Sequence, residues 1–547
     1  MTRKERLTLV ATILGSTIVF LDSTVVNVAL PAIEEDLNTG LAGQQWVVEA
    51  YMLTLVAFLL AGGSLGDLYG RRRLFEIGLT GFALTSALCA IAPSVEFLVG
   101  ARALQGVAGA MLVPGSLAIL AAMFEGEARG RAVGIWTAWA GISTLVGPAG
   151  GGLLVQVDWR WIFWLNIPLI VGTLLLTRHA VPESRDPEAC PAIDFLGIGL
   201  SAVGVGGPVF ALVEQPTHGF GDPLVAIPLI AGVVSLATFV WWESRTRAPM
   251  MPLGLYRSHN FSTVNLATLC VYASLYGTTF FLTLFLQQVA DYSPFQAGLA
   301  TTPITIIMFV LSSRFGALAE RIGPRLVMGI GPLVCAVGVA LLTRVDQDAA
   351  YLSTVLPALL LFGFGLAMTV APLTTTVLNS VEERHAGVAS GINNAVARVA
   401  GLLAIAAFGA VISAQFASSL DGRISDQNLD SQATSAVADA KEQPLAGGVS
   451  GVSGASGEEL DADVTESSVS AFQLGMVIGA GLLVLGGAIG LAGVRNPKRP
   501  TEGEHHAPGP AATAGECGRP GGGDETSPVP GTLTPEPAST GGMDSAL

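Results

Sequence analysis

Apolar residues in this chain come in long unbroken runs separated by short polar stretches, and within the runs polarity does not alternate. Fourteen runs lie near residues 8–30, 46–66, 74–92, 95–119, 131–155, 161–178, 195–213, 222–242, 262–286, 297–318, 326–344, 352–379, 387–413 and 471–494. About 18 apolar residues suffice to cross roughly 30 Å of hydrocarbon as a helix. A membrane barrel would instead show segments of about ten residues with alternating polarity. A spanning segment must satisfy its own backbone where there is no water, and a helix does so unaided. The pattern predicts an all-α polytopic membrane protein. The first run is too long for the core of a cleaved secretory signal and is expected to stay as a span.

The loops test that count. With a cytoplasmic N-terminus, the segments predicted to lie inside hold 21 Lys/Arg, and those outside hold only Arg160, Arg344, Arg423 and Lys441. This is the asymmetry of the positive-inside rule. One span more or fewer would invert every downstream loop and scramble it. The expectation is fourteen spans with both termini cytoplasmic.

Composition narrows the class. Apolar residues make up 51% and charged residues 13%, about half the charged share of a soluble domain. The net charge of −15 says little about partners, because it is concentrated in two polar segments. Residues 421–466 carry ten acids and two bases, and residues 495–547 carry seven and four. Both segments read as solvated and mobile, and nucleic-acid binding has no support. Cys89, Cys190, Cys270, Cys335 and Cys517 show no metal or disulfide spacing; three lie inside apolar runs, where Cys acts as a small hydrophobe. No metal or cofactor is expected. The sequence has no phosphate-binding loop and no nucleophile constellation, which argues against an enzyme or a nucleotide-driven pump. Arginines outnumber lysines 24 to three, the bias of a GC-rich bacterial genome. A multi-pass protein of the bacterial inner (plasma) membrane is expected.

An internal repeat organises the spans. Residues 63–72 (GSLGDLYGRR) follow span 2, and residues 316–325 (GALAERIGPR) follow span 10. Gly63, Leu65, Asp67, Gly70 and Arg72 match Gly316, Leu318, Glu320, Gly323 and Arg325 at one constant offset. Spans 1–6 then correspond to spans 9–14, with spans 7–8 inserted between two parallel six-helix halves, a transporter architecture. The expected organisation is an N-terminal half over 1–178, the inserted spans with their linkers over 179–261, a C-terminal half over 262–494 that includes the acidic outer segment 414–470, and a disordered cytoplasmic tail over 495–547.

Further motifs stand in order: residues 21–31 (LDSTVVNVALP), 98–110 (LVGARALQGVAGA), 147–152 (GPAGGG), 159–168 (WRWIFWLNIP) and 292–298 (YSPFQAG). Together with the 63–73 loop they resemble the fourteen-span drug:proton antiporters of the major facilitator superfamily. The resemblance covers roughly 8–413 plus the last span. It implies the major facilitator fold and a secondary exporter of a small hydrophobic drug, antibiotic or biocide, driven by protons, conferring resistance and acting as a monomer in the bilayer. It also implies a cytoplasmic gate motif (Gly63, Asp67, Gly70, Arg71, Arg72) and an antiporter motif in span 5 (Gly147, Pro148, Gly151, Gly152). One position departs from the family: Ser143 stands where the antiporter motif usually has glycine.

The residues carry their own physical reading. Asp67, near one helix end, and Arg71 and Arg72, near the next helix start, can bridge the two halves' helices when the inner face is shut and release when it opens. Gly147–Gly152 with Pro148 permits close helix approach and a kink. Asp22 in span 1 and Arg102 in span 4 lie at similar depths, about 12 and 10 Å from the outer ends at 1.5 Å per residue, so an ion pair is possible. A charge at that depth costs about 2.5–3.5 kcal/mol on insertion scales and marks function by default. Asp22, Arg102 and Glu49 are the candidates for proton coupling, and Asn27, Gln105 and Arg398 the possible cavity residues. Uptake of a small nutrient, and a channel or non-transporting sensor, are the alternative readings.

Overall fold

The computed structural model describes residues 1–496 except 125, 186–193, 247–248, 383–385, 426, 428, 446–447 and 449–454. The expected tail over 495–547 therefore lies almost wholly outside the described residues, as do Cys190 and Cys517. The described chain is helical throughout: α1 (Arg3–Leu37), α2 (Leu41–Tyr69), α3 (Arg71–Ala90), α4 (Val95–Met123), α5 (Gly126–Val155), α6 (Trp161–Trp164), α7 (Asn166–Ala180), α8 (Phe195–His218) and α9 (Pro223–Glu243). There follow α10 (His259–Gln288), α11 (Pro294–Ile322), α12 (Pro324–Leu341), α13 (Leu356–Asn379), α14 (Ala386–Ile424), α15 (Ser431–Glu442) and α16 (Ala455–Gly493).

Thirteen of these helical segments are long and apolar enough to cross a membrane, with α6 and α7 counted as one. A fourteenth is α2, which bends by 53° between Leu59 and Ala61. The bend precedes Gly62 and Gly63, where small residues leave the helix least resistant to kinking. Each predicted run falls on one of these helices. The helices outrun the hydrocarbon, however: α14 and α16 have 39 residues each, about 58 Å at 1.5 Å per residue.

The excess length corrects one expectation. The segment 414–470, expected to be solvated, is not a solvated coil where it is described. It holds the end of α14, all of α15 and the start of α16. Ala433, Ala436, Val437 and Ala440 are buried, and Val437, Leu445, Leu460 and Val464 belong to the main hydrophobic cluster. Spacing of i, i+3, i+4 and i+7 gives one apolar stripe on a helix. A high content of Ser, Gly and acids conceals that stripe when composition alone is read.

The same set of neighbours occurs twice. In α1–α7, α1 packs on α5, α7 and α4, while α4 packs on α2 and α3. In α10–α16, α10 packs on α14, α16 and α13, while α13 packs on α11 and α12. The sets meet where α5 packs on α11 and α2 on α14, and the α8–α9 hairpin leans on α2 and α14.

Candidate functional site

The charge pair expected from depth is present and sealed. Arg102 Nη1 donates to Asp22 Oδ2 at 2.5 Å, and both side chains are 1% exposed. Asp22 accepts two further hydrogen bonds, from Gln105 Nε2 and Asn166 Nδ2, each at 3.1 Å. Arg102 also donates to Val47 O at 3.1 Å and to Gln105 Oε1 at 2.7 Å, and its guanidinium lies 4.2 Å over the Tyr51 ring. Asn166 reaches Ser86 on α3, which in turn bonds the Phe163 carbonyl. One ion pair thus ties α1, α2, α3, α4 and α7 together. A buried ion pair is tolerated only when its remaining donors and acceptors are satisfied, and these neighbours satisfy them. Sequence reading gave no role to Asn166, Tyr51 or Ser86. Asn166 had a signal, as a lone amide in an apolar run, but nothing in a sequence says which helix it faces.

Glu49 is the opposite case. It lies on α2, fully buried, and neither carboxyl oxygen has a hydrogen-bond partner. Asn27 Oδ1 is likewise buried without a partner. Arg398 reaches from α14 to within 3.9 Å of the Met52 sulfur on α2. Met52 lies one turn along α2 from Glu49, and residues three apart share a helix face.

The 63–73 loop pairs within its own set of helices. Arg71 Nε bonds Asp67 Oδ1 and Arg72 Nε bonds Glu76 Oε1, each at 2.8 Å. The Arg71 amide donates to Ser184 O at 3.0 Å and the Arg72 amide to Glu183 Oε1 at 3.1 Å, so the segment after α7 grips the loop. Gly70 has φ +115°, a conformation that favours glycine, and a Cβ there would lie 2.7 Å from Glu183 Oε1. The repeated loop is built alike. Gly323 has φ +93°, and the Arg325 amide donates at 3.1 Å to Asn496, which follows α16.

The glycines of α5 face two ways. Gly147 and Gly151 lie against Thr24 and Val25 of α1. On the other side, a Cβ on Gly152 would meet Phe295 Cα and Pro294 O at 2.6 Å. A Cβ on Gly298 of α11 would come 2.6 Å from the Pro148 carbonyl carbon. Two motifs far apart in sequence, 147–152 and 292–298, thus form one contact between the helix sets. Ser143 keeps α5 close to α1 by a different means: its hydroxyl bonds Thr17 Oγ1 at 3.0 Å. Away from the 63–73 loop, at the other end of the bundle, Glu34 of α1 accepts from Gln44 and Gln288, and Gln45 Nε2 donates to Ile405 O at 2.7 Å.

The family profile described as Major Facilitator Superfamily matches residues 12–405. The chain belongs to that superfamily. It is a transporter, not an enzyme, and a multi-pass membrane protein with the superfamily's all-helical fold. The multidrug resistance protein Stp of Mycobacterium tuberculosis is 38% identical over 424 residues, 77% of this chain and 78% of that protein. The tetracenomycin C resistance and export protein of Streptomyces glaucescens is 32% identical over 512 residues, 93% of this chain and 95% of that protein. Among solved structures, a bacterial homolog of the human lysosomal transporter Spinster, inward-facing and unoccupied, superposes with TM-score 0.60 at 16% identity, covering 91% of this chain and all of that one. That likeness establishes the superfamily fold.

Proposed function

We propose that this superfamily member exports a small hydrophobic drug or antibiotic in exchange for protons across the bacterial plasma membrane, acting as a monomer and conferring resistance. The observation that carries the export reading is likeness, over 93% of the chain, to a protein named for resistance and export. The recurring neighbour sets support reading α1–α7 and α10–α16 as two six-helix halves with α8–α9 inserted between them, and the Lys/Arg bias of the loops supports cytoplasmic termini.

Glu49, Asp22 and Arg102 divide the coupling. Asp22 is held by three donors, so it serves as the fixed counter-charge of Arg102 in the state described here. Glu49 has no such donors. A buried carboxylate without partners costs far more than the neutral acid, so Glu49 is the group that takes a proton from outside and gives it up inside. Each charge moved across 100 mV supplies about 2.3 kcal/mol, or close to a fiftyfold concentration ratio. The 63–73 loop and its α5–α11 counterpart at the other end act as alternating closures.

Everted vesicles energised by a pH gradient test this reading, with a fluorescent hydrophobic cation as probe. Wild type should accumulate the dye and dissipate the gradient. Glu49→Gln should bind dye yet lose pH-driven accumulation. Accumulation that ignores the gradient in wild type would end the antiport reading. Retained coupling in Glu49→Gln with loss in Asp22→Asn would move the proton to Asp22.

A further inference from the structure

Away from the buried charges, the α8–α9 hairpin leaves an apolar crevice of about 270 Å³ against α2, α10 and α14. Ala57, Val205, Phe239 and Val396 are among its walls. Val240 and Leu269, which also line it, are exposed apolar residues on membrane-crossing helices, so the crevice opens towards hydrocarbon. Its end adjoins a polar hollow. Met250 and Met251 line the crevice, while their neighbours Pro249 and Pro252 line the hollow together with Glu243 and Arg257.

The hollow is charged in a particular way. Glu243 closes α9 and is 3% exposed. Its Oε2 accepts from the Met251 amide at 3.0 Å, but its Oε1 has no partner. Asp194 caps α8, accepting from the Gly197 amide at 2.7 Å and from Trp242 Nε1 at 2.8 Å. A Cβ on Gly197 would meet Asp194 Oδ2 at 2.6 Å and Glu243 Oε1 at 3.2 Å, so the two acids flank one point. Exposed Arg257 stands on the hollow's wall.

A buried carboxylate oxygen without a partner calls for an N–H or O–H donor, best a charged one. A guanidinium beside it suits an anion such as phosphate. An apolar slot alongside suits an acyl chain. We propose that this is a binding site for a phospholipid with a primary-ammonium headgroup, of the phosphatidylethanolamine type. The ammonium donates to Glu243 Oε1 next to Asp194, the phosphate meets Arg257, and one acyl chain fills the crevice, fastening α8–α9 to α2 and α14. The site lies at the end of the bundle that carries the 63–73 loop, which is the cytoplasmic leaflet in the orientation predicted from charge. A choline headgroup has no N–H to donate, so Glu243 discriminates between the two headgroups.

The full-length protein, delipidated in detergent and offered an equimolar mixture of phosphatidylethanolamine and phosphatidylcholine with identical acyl chains, tests this by native mass spectrometry. Wild type should retain the ethanolamine lipid over the choline lipid by about tenfold, the worth of one charge-assisted hydrogen bond. Glu243→Gln should bring the ratio near unity. Ala202→Phe, which fills the crevice, should lower retention of both lipids. Equal retention of the two by wild type would overturn the proposal, and this arm needs no variant to fold. A preference that survives Glu243→Gln would also overturn it. So would retained lipid that a hydrophobic dye displaces without regard to headgroup, since the crevice would then belong to the substrate's path.

Discussion

Gly298 of α11 lies so near the Pro148 carbonyl of α5 that a Cβ would approach its carbonyl carbon to 2.6 Å. Pro148 and Gly298 belong to motifs that the sequence presents separately, and their contact joins the two helix sets. Helices in lipid associate through such small-residue packing, because lipid supplies no hydrophobic drive between them. Overpacking a tight contact costs about 1–3 kcal/mol. Gly298→Val should therefore push α5 and α11 apart, leaving insertion intact and reducing dye efflux at least severalfold. Efflux at the wild-type rate from a well-expressed variant would show that the contact is not needed in the cycle.

The gate loop separates transport from stability. Asp67 and Arg71 are part-exposed partners four residues apart, and such pairs contribute about 0.3–0.5 kcal/mol. Asp67→Asn should hardly move the thermal midpoint but should slow transport sharply, since the loop loses its charge switch. Unchanged efflux with unchanged stability would leave the loop only its part in setting orientation.

The sealed pair predicts an asymmetry. Arg102→Ala leaves the buried Asp22 carboxylate without its counter-charge, and removing one partner of a buried pair costs about 3–5 kcal/mol. Asp22→Asn together with Arg102→Met removes both charges and should be less destabilising than Arg102→Ala alone. Thermal unfolding in detergent gives the comparison, and equal midpoints for the two variants would contradict it.

Topology can be read directly. Reporter fusions near residues 185 and 250 should report cytoplasm, and one near 440 the outside. An outside signal at 250 would remove α8–α9 as an inserted pair of spans.

The docking of α15 makes a further prediction. Val437 is buried on α15. Val437→Asp should release α15 from the bundle and admit protease between α14 and α16, whereas exposed Thr434→Asp should not. Equal cleavage of both variants would mean that the stripe does not hold the helix.

Span number, helical class and the repeat were legible in the sequence. Each depends on a property that accumulates along the chain: apolar length, loop charge and a constant offset between matching residues. Family membership was legible too, because six motifs stand in order. Partnership was not. Asp22 and Arg102 could be matched in depth, but that Gln105 and Asn166 complete their shell while Glu49 stands unpartnered depends on how the helices are rotated about their axes. Half a turn of rotation changes no composition and no span boundary. The α15 stripe escaped notice because four small apolar residues in an acidic segment look like solvent until a surface is found for them. Sequence by itself determined that the chain is built of apolar helices long enough to cross a membrane and which motifs they carry. Tertiary structure alone decided which faces meet, because the hydrogen bonds that choose those faces join residues as far as 360 positions apart.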